Sequence, residues 1–184
     1  MGRTWIPAAT ALTLLLGASQ PAVAQEEAPA PVDPDGHGPV GQGCSAEGYR
    51  AFDFWLGDWQ VTNPAGAVAG TNSITRISNG CAMLEHWIGG GGTPGQSLNH
   101  FDPASNTWHQ RWVGGNGLIL NLAGELEDGA MVLSGERQGQ NGPVIDKVTW
   151  TPADDGSVEQ KWQVSQDGGE TWNQVFLGTY KKAD

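Results

Sequence analysis

From Phe54 onward, short stretches rich in Val, Ile, Thr and Trp alternate with turn signals at close intervals: "NPAG", "SNG", "GGGGTPG", "DPASN", "GGNG", "EDG", "QGQNG", "PADDG" and "QDGG". Runs of this length bounded by Gly, Pro, Asn and Asp read as the strands of an antiparallel all-β protein. Ten are predicted, over 54–63, 67–79, 81–89, 95–102, 107–114, 118–127, 130–138, 143–151, 157–165 and 171–181. Helix is confined to "SAEGYRAFDF", where Ser45 stands as a candidate N-cap. Ten strands joined by tight hairpins either stack as two sheets or close into a barrel that leaves no edge. A Greek-key sandwich needs several long connections, and only "GGGGTPG" is roomy enough. The expectation is an all-β, ten-stranded, antiparallel up-and-down barrel with a short N-terminal helix.

Alternation along the strands then sorts side chains onto faces. Trp108, Gln110 and Trp112 share one face; Gln160, Trp162 and Val164 share another; so do Trp172, Gln174 and Phe176, and Val144, Asp146, Val148 and Trp150. Turned inward, these faces line the barrel with aromatic rings, a few amides and one carboxylate. A mostly apolar wall with a few polar groups is the composition of a small-molecule site. The alternative is a structural module of the cell envelope with a filled barrel, in which each buried Gln must find a partner or cost about 1–3 kcal/mol. The expected lining is therefore Trp108, Gln110, Trp112, Asp146, Trp150, Gln160, Trp162, Trp172 and Gln174. His86 joins it by sharing parity with Leu84 and Ile88, and His100 by sharing parity with Leu98. His109 lies opposite the Trp face and is expected to be exposed.

Other chemistry has less to stand on. Zinc needs three or four converging ligands, and no HxH or HExxH spacing occurs, so no metal is expected. No G-x-S-x-G is present, which removes one nucleophilic route. An enzyme on the same barrel, an isomerase or hydrolase, would call on His86, Glu85 or Asp146 as acid and base. "SQDGGETW", Ser165–Trp172, matches the S-x-D-x-G-x-T-W Asp-box of sialidases, but sugar cleavage also needs two carboxylates about 5–10 Å apart, and nothing pairs Glu85, Asp146 or Asp58. Asp, Ser and Gly at such spacing bond the turn backbone and supply positive φ, so the octet reads as the turn joining the last two strands and aiming Trp172 and Gln174 inward. "FDPASNTWHQRW", "WTPADDGSVEQKW" and "VSQDGGETWNQVF" look like three hairpins of similar design.

The N-terminal part changes the setting. Arg3, an apolar run from Ile6 to about Gly17 and Ala22-Val23-Ala24 form a secretory signal peptide over 1–24, too short to span a bilayer, with cleavage expected after Ala24. Residues 25–43 are a Pro, Gly and acid-rich linker with too little apolar surface to order itself. Its "DPDGHG" does not open a calcium loop, because the twelfth position from Asp33 is Cys44 and not Glu. His37 in that linker reads as solvated. The domain is 44–184. Losing Arg3 with the signal peptide moves the formal charge from −11 to −12, 8 basic against 20 acidic residues. Such a chain repels phosphate backbones and anionic membrane surfaces, so the expected partner is a small molecule, without nucleic acid and without membrane insertion after cleavage. The expected location is periplasmic or secreted. Cys44 and Cys81, the two cysteines of the chain, are expected to pair in an oxidising compartment.

"FDFWLGDWQV", "GTNSITRISNGCAMLEHW", "GQSLNHFDPASNTWHQRWV", "GAMVLSGE" and "TWNQVFLGTYKK" resemble a family of bacterial proteins of unknown function grouped with the calycins, over about Cys44 to Lys182. In calycins a G-x-W on the first strand, here Gly57-Asp58-Trp59, closes one end of the barrel, and a basic residue of the last strand packs over that Trp. The resemblance offers Lys181 or Lys182 for this role, with Lys181 taken first. It implies a lipocalin-, fatty-acid-binding-protein- or nitrobindin-like barrel holding a small apolar or amphipathic ligand. Nitrobindins hold haem through a His on the closing strands, and none follows Ser157 here. No cofactor is therefore expected, with His86 and His100 the only substitutes for a haem ligand.

Overall fold

Each turn signal reverses the chain, and the stretches between them pair. In the computed structural model, which describes residues 1–2 and 44–183, the strands are β1 (Gly57–Thr62), β2 (Val68–Ile77), β3 (Ala82–Gly89), β4 (Pro94–Asp102) and β5 (Thr107–Gly114). They continue as β6 (Ile119–Glu127), β7 (Ala130–Gly139), β8 (Gly142–Pro152), β9 (Val158–Ser165) and β10 (Asn173–Lys182). Residues 3–43, which carry the rest of the expected signal peptide, the expected linker and His37, lie outside the described residues. Every strand pairs antiparallel with its sequence neighbours, and β1 pairs β10 from Trp59 opposite Lys182 to Thr62 opposite Thr179. The sheet is thus a closed ten-stranded barrel, as expected.

The first strand starts later than its composition suggests. Asp53–Trp55 forms a 3-10 turn that folds Phe52 and Trp55 across one end of the barrel, where both are fully buried. Phe52 stacks on Trp55 at 4.9 Å between ring centroids and meets Trp150 at 5.1 Å and Trp108 at 5.6 Å edge-on. Burying each ring stabilises the domain by on the order of 3 kcal/mol. Ahead of this plug, α1 (Glu47–Arg50) begins after Ala46 and has no side-chain cap, so Ser45 does not take the expected role. Tertiary contacts hold the helix instead. The ring of Phe101 lies where a Cβ on Gly48 would sit, and Trp108 Nε1 donates to Gly48 O at 3.0 Å. Arg50 reaches back to Cys44 O, and Cys44 is bonded to Cys81.

The G-x-W corner forms at the same end. Trp59 is buried and donates its Nε1 to Trp55 O at 2.8 Å. Lys182 Nζ lies 3.6 Å from the Trp59 ring centroid and also donates to Leu56 O. Gly57, at φ +121°, leaves the space that the lysine occupies. The basic residue over the tryptophan is therefore Lys182; Lys181 points outward and is exposed. Parity decides between them, because Tyr180 faces inward and its next same-face neighbour is two residues on.

"SQDGGETW" connects β9 to β10. Ser165 Oγ donates to Asp167 Oδ1 at 2.7 Å, and the Thr171 backbone N–H donates to Asp167 Oδ1 at 2.9 Å. These and the other bonds at the turn hold the Asp167 carboxyl down at about 2, with Thr171 contributing most. Gly168 and Gly169 supply φ of +75° and +96°. The turn is a folding device. It does not aim its flanks inward: the register of β10 shifts between Gln174 and Phe176, a β-bulge at Val175 that reverses the alternation. Trp172 lies outside under Lys147, whose Nζ is 3.9 Å from its ring centroid, and Gln174 pairs with Gln163 and is exposed.

The Cys44–Cys81 bridge spans 37 residues and fastens the start of the domain beside the Ser78–Gly80 turn between β2 and β3. Closing a loop of that size restricts the unfolded chain by about 3–4 kcal/mol. Reduction should lower the melting temperature by roughly 10 °C while leaving the β-sheet circular dichroism signal at room temperature intact. Calorimetry with and without a thiol reductant checks this.

Candidate functional site

The end of the barrel away from the aromatic plug holds a cavity of about 130 Å³. Its lining is Glu85 and Trp87 from β3, Gln110 and Trp112 from β5, Leu120 from β6, Val148 from β8, Gln160 and Trp162 from β9, and Phe176 and Tyr180 from β10. The rings have room because the inner face carries glycines beside them. A Cβ on Gly95 would collide with the Trp112 ring, and one on Gly70 would come within 2.7 Å of Trp87. Each indole thus lies against bare backbone of the adjoining strand. Phe176 meets Trp87 edge-on at 6.1 Å.

The polar side of the cavity is a single network. Glu85, 3% exposed, receives Asn72 Nδ2 at 2.7 Å on one oxygen and Ser97 Oγ at 2.5 Å on the other. Ser97 Oγ in turn accepts Asn99 Nδ2 at 2.8 Å, and Asn99 Oδ1 accepts Gln110 Nε2 at 2.9 Å. Tyr180 donates its hydroxyl to Gln160 Oε1 and lies 3.4 Å from Asn72 Nδ2. Burial pushes the Glu85 carboxyl up to about 7, against the opposing pull of the Ser97 and Asn72 hydrogen bonds. Burial, and then the neighbouring Glu85, also raises the Tyr180 phenol well above its ordinary range.

Gln110, Trp112, Gln160 and Trp162 line the cavity where the strand faces place them. Trp108 and Trp150 share those inward faces but sit lower, in the aromatic plug, and do not reach the cavity. Asp146 is buried behind the wall, bonded to Arg137 Nε at 2.7 Å, and accepts Trp162 Nε1 at 2.9 Å. It orients that indole and does not line the cavity. Trp172 and Gln174 are outside because of the bulge.

The histidines are also outside. His86 is exposed and bonded to Gln96 at 3.1 Å, and His100 is exposed with its ring stacked on His109 at 5.1 Å. Their apolar companions Ile88 and Leu98 are 48% and 45% exposed, so the face that looks apolar on β3 and β4 is the outer one. The inner face carries Met83, Glu85 and Trp87 on β3 and Gly95, Ser97, Asn99 and Phe101 on β4. Hydrophobicity misassigns these two strands because their interior positions bear the polar network. Haem does not fit this lining: His86, His100 and His109, the three histidines among the described residues, all point away from the cavity.

Val148 and Phe176 line the cavity from faces that the sequence turned inward, although neither was singled out as a ligand contact; sequence reasoning missed Trp87, Leu120 and Tyr180 and assigned Glu85 only to catalysis. Trp87 and Glu85 were findable from one signal, the i, i+2 spacing of a carboxylate and an indole in "MLEHWI". The chain matches no protein-family model and no curated protein.

Glu85 makes stability depend on pH in a definite direction. The unfolded chain releases the Glu85 proton near 4.5, whereas the folded barrel holds it to about 7. Between those values the folded state binds more protons, so this contribution to stability falls as pH rises, by on the order of 3 kcal/mol, and is flat above about 7. Glu85→Gln should remove that slope. Urea unfolding of both proteins across this pH window measures the difference.

Proposed function

We propose that this chain is an exported, calycin-like binding protein that holds a small ligand in the open end of the barrel. The observation that carries the reading is the cavity itself, with aromatic walls on one side and a hydrogen-bonded carboxyl on the other. A closed barrel built only for support would fill this space, since unfilled interior forfeits packing energy. The inner-face glycines beside Trp87 and Trp112 support the same reading, because they give the rings room to stand as walls. The G-x-W corner with Lys182 over Trp59 supports the calycin resemblance.

Size bounds the ligand. Drug-sized sites run to about 300–1,000 Å³, whereas an apolar cavity of about 150 Å³ is enough for benzene. A space of about 130 Å³ suits one ring or one compact branched group, and anything larger must project between the rim indoles. Export rests on the signal-peptide pattern of the sequence, and the Cys44–Cys81 bridge is consistent with an oxidising compartment.

An enzyme on this barrel would have Glu85 to work with. Of the three groups considered for acid and base roles, His86 faces solvent and Asp146 is engaged by Arg137. One carboxyl among aromatic walls supports binding more directly than catalysis.

Trp87, Trp112 and Trp162 report on the cavity. A panel of single-ring aromatics and compact amphipathic molecules should include members that change the intrinsic fluorescence saturably. Trp112→Leu should weaken the best of them by about tenfold, the scale of one lost aromatic contact. A folded protein whose emission responds to no member of the panel would defeat the proposal.

A further inference from the structure

We propose that the cavity takes a small organic cation, a protonated or quaternary alkylammonium group seated against Glu85 and walled by Trp87, Trp112, Trp162 and Phe176. This rests on the ligand-binding reading above and names the chemistry of the ligand.

The hydrogen-bond directions come first. Because Asn99 Oδ1 accepts from Gln110, its Nδ2 is left to donate to Ser97 Oγ. With that lone pair occupied, the Ser97 hydroxyl hydrogen points at Glu85. Asn72 donates to the other carboxylate oxygen. Donors from β2, β4 and β5 therefore run toward Glu85, the arrangement that supports an ionised carboxylate. Tyr180 directs its own hydrogen to Gln160 and adds no competing demand on the carboxylate.

What the carboxylate lacks among the described residues is a counter-charge. None of the ion pairs among the described residues includes Glu85, and neither Lys nor Arg lines the cavity. Arg137, the guanidinium bonded behind the Trp162 wall, is already paired with Asp146. Beside Glu85, Asn72 Oδ1 is a buried acceptor without a hydrogen-bond partner among the described residues, which adds to the negative potential there. Buried carboxylates are normally paired, because the isolated charge is expensive to desolvate. Here the pairing position opens into the cavity.

The walls select the same ligand. The faces of indole and phenyl rings attract cations, most strongly when the site is shielded from water. A neutral apolar molecule would gain nothing from Glu85, and an anion would be repelled by it. The surplus of 20 acidic over 9 basic residues in the whole chain draws cations toward the protein over longer range.

The proposal implies proton release on binding. In the empty barrel Glu85 keeps its proton to about 7. Seating a cation requires the ionised form, so affinity should rise with pH up to about 7 and level off above it, changing by about tenfold per pH unit on the acidic side. Of the groups around Glu85, Asn72, Ser97, Asn99 and Gln110 do not titrate and Tyr180 stays protonated, while the carboxylate of Asp146 bonds Arg137 and Trp162 and not Glu85.

The test is calorimetric titration of the full-length protein with choline and with its uncharged carbon isostere, in which a tert-butyl group replaces the trimethylammonium. Choline should bind at least about tenfold more tightly than the isostere at a pH near 8 and should release a proton near 6. Glu85→Gln should cost choline about a hundredfold more than it costs the isostere, with no remaining pH dependence. Trp112→Leu, outside the hydrogen-bond network, should weaken choline more than the isostere. Equal affinities, or choline binding that ignores pH, would overturn the cation while leaving a ligand-binding barrel in place. So would binding of neither compound by protein whose fluorescence responds to neutral aromatics. Silence toward every compound overturns the binding reading as well.

Discussion

The seam between β1 and β10 is the constraint from which the rest follows. Once Trp59 lies under Lys182 and the two strands pair, no strand in the sheet has a free edge, and every residue must be inside or outside. A ten-stranded barrel encloses more volume than its own inward side chains fill, so its ends need separate solutions. The chain before β1 supplies one of them by laying Phe52 and Trp55 across the opening, and the Cys44–Cys81 bond ties that segment down. The opposite end keeps its aromatic residues at the rim, and the cavity results.

Within that enclosure the placement of Glu85 works against stability and is compensated locally. A buried carboxyl loses hydration, and the barrel answers with Asn72 and Ser97, which Asn99 and Gln110 hold in orientation. Each unmet group in such a network is costly, and among the described residues Asn72 Oδ1 is left without a partner. Four strands contribute to it, so the network also helps fix their relative register. Asp146 shows the other solution to the same problem: Arg137 neutralises it, and its remaining bond goes to Trp162. The two buried carboxylates thus do different things, one stiffening the wall and the other facing the space.

These choices explain where pattern reading succeeded and where it failed. Trp112, Gln110, Gln160 and Trp162 were legible because their strands run without interruption and their aromatic face is the inner one. On β3 and β4 the usual rule of apolar inside is locally reversed: Ser97 and Asn99 point in while Leu98 and Ile88 point out. A ranking by hydrophobicity therefore brought His86 and His100 inside. On β10 the alternation breaks partway along, since the bulge at Val175 leaves Trp172 and Gln174 outside while Phe176 and Tyr180 face in. A bulge inserts one residue without leaving a compositional mark, so strand parity cannot be carried across it.

Turn residues and strand-length apolar runs were enough to establish the number of strands, their order and the hairpin topology, because those depend on local backbone preference and on what each segment can bury by itself. The disulfide partners followed from there being only two cysteines. Depth was decided in three dimensions. Trp108 and Trp112 stand on one face of one strand, yet one is plug and the other is wall, according to which residues meet them across the barrel. The choice of Lys182 over Lys181, the exclusion of the histidines and the assembly of a buried carboxylate from donors on separate strands all depend on register. Register is a relation between distant segments, and it exists only once the sheet has closed.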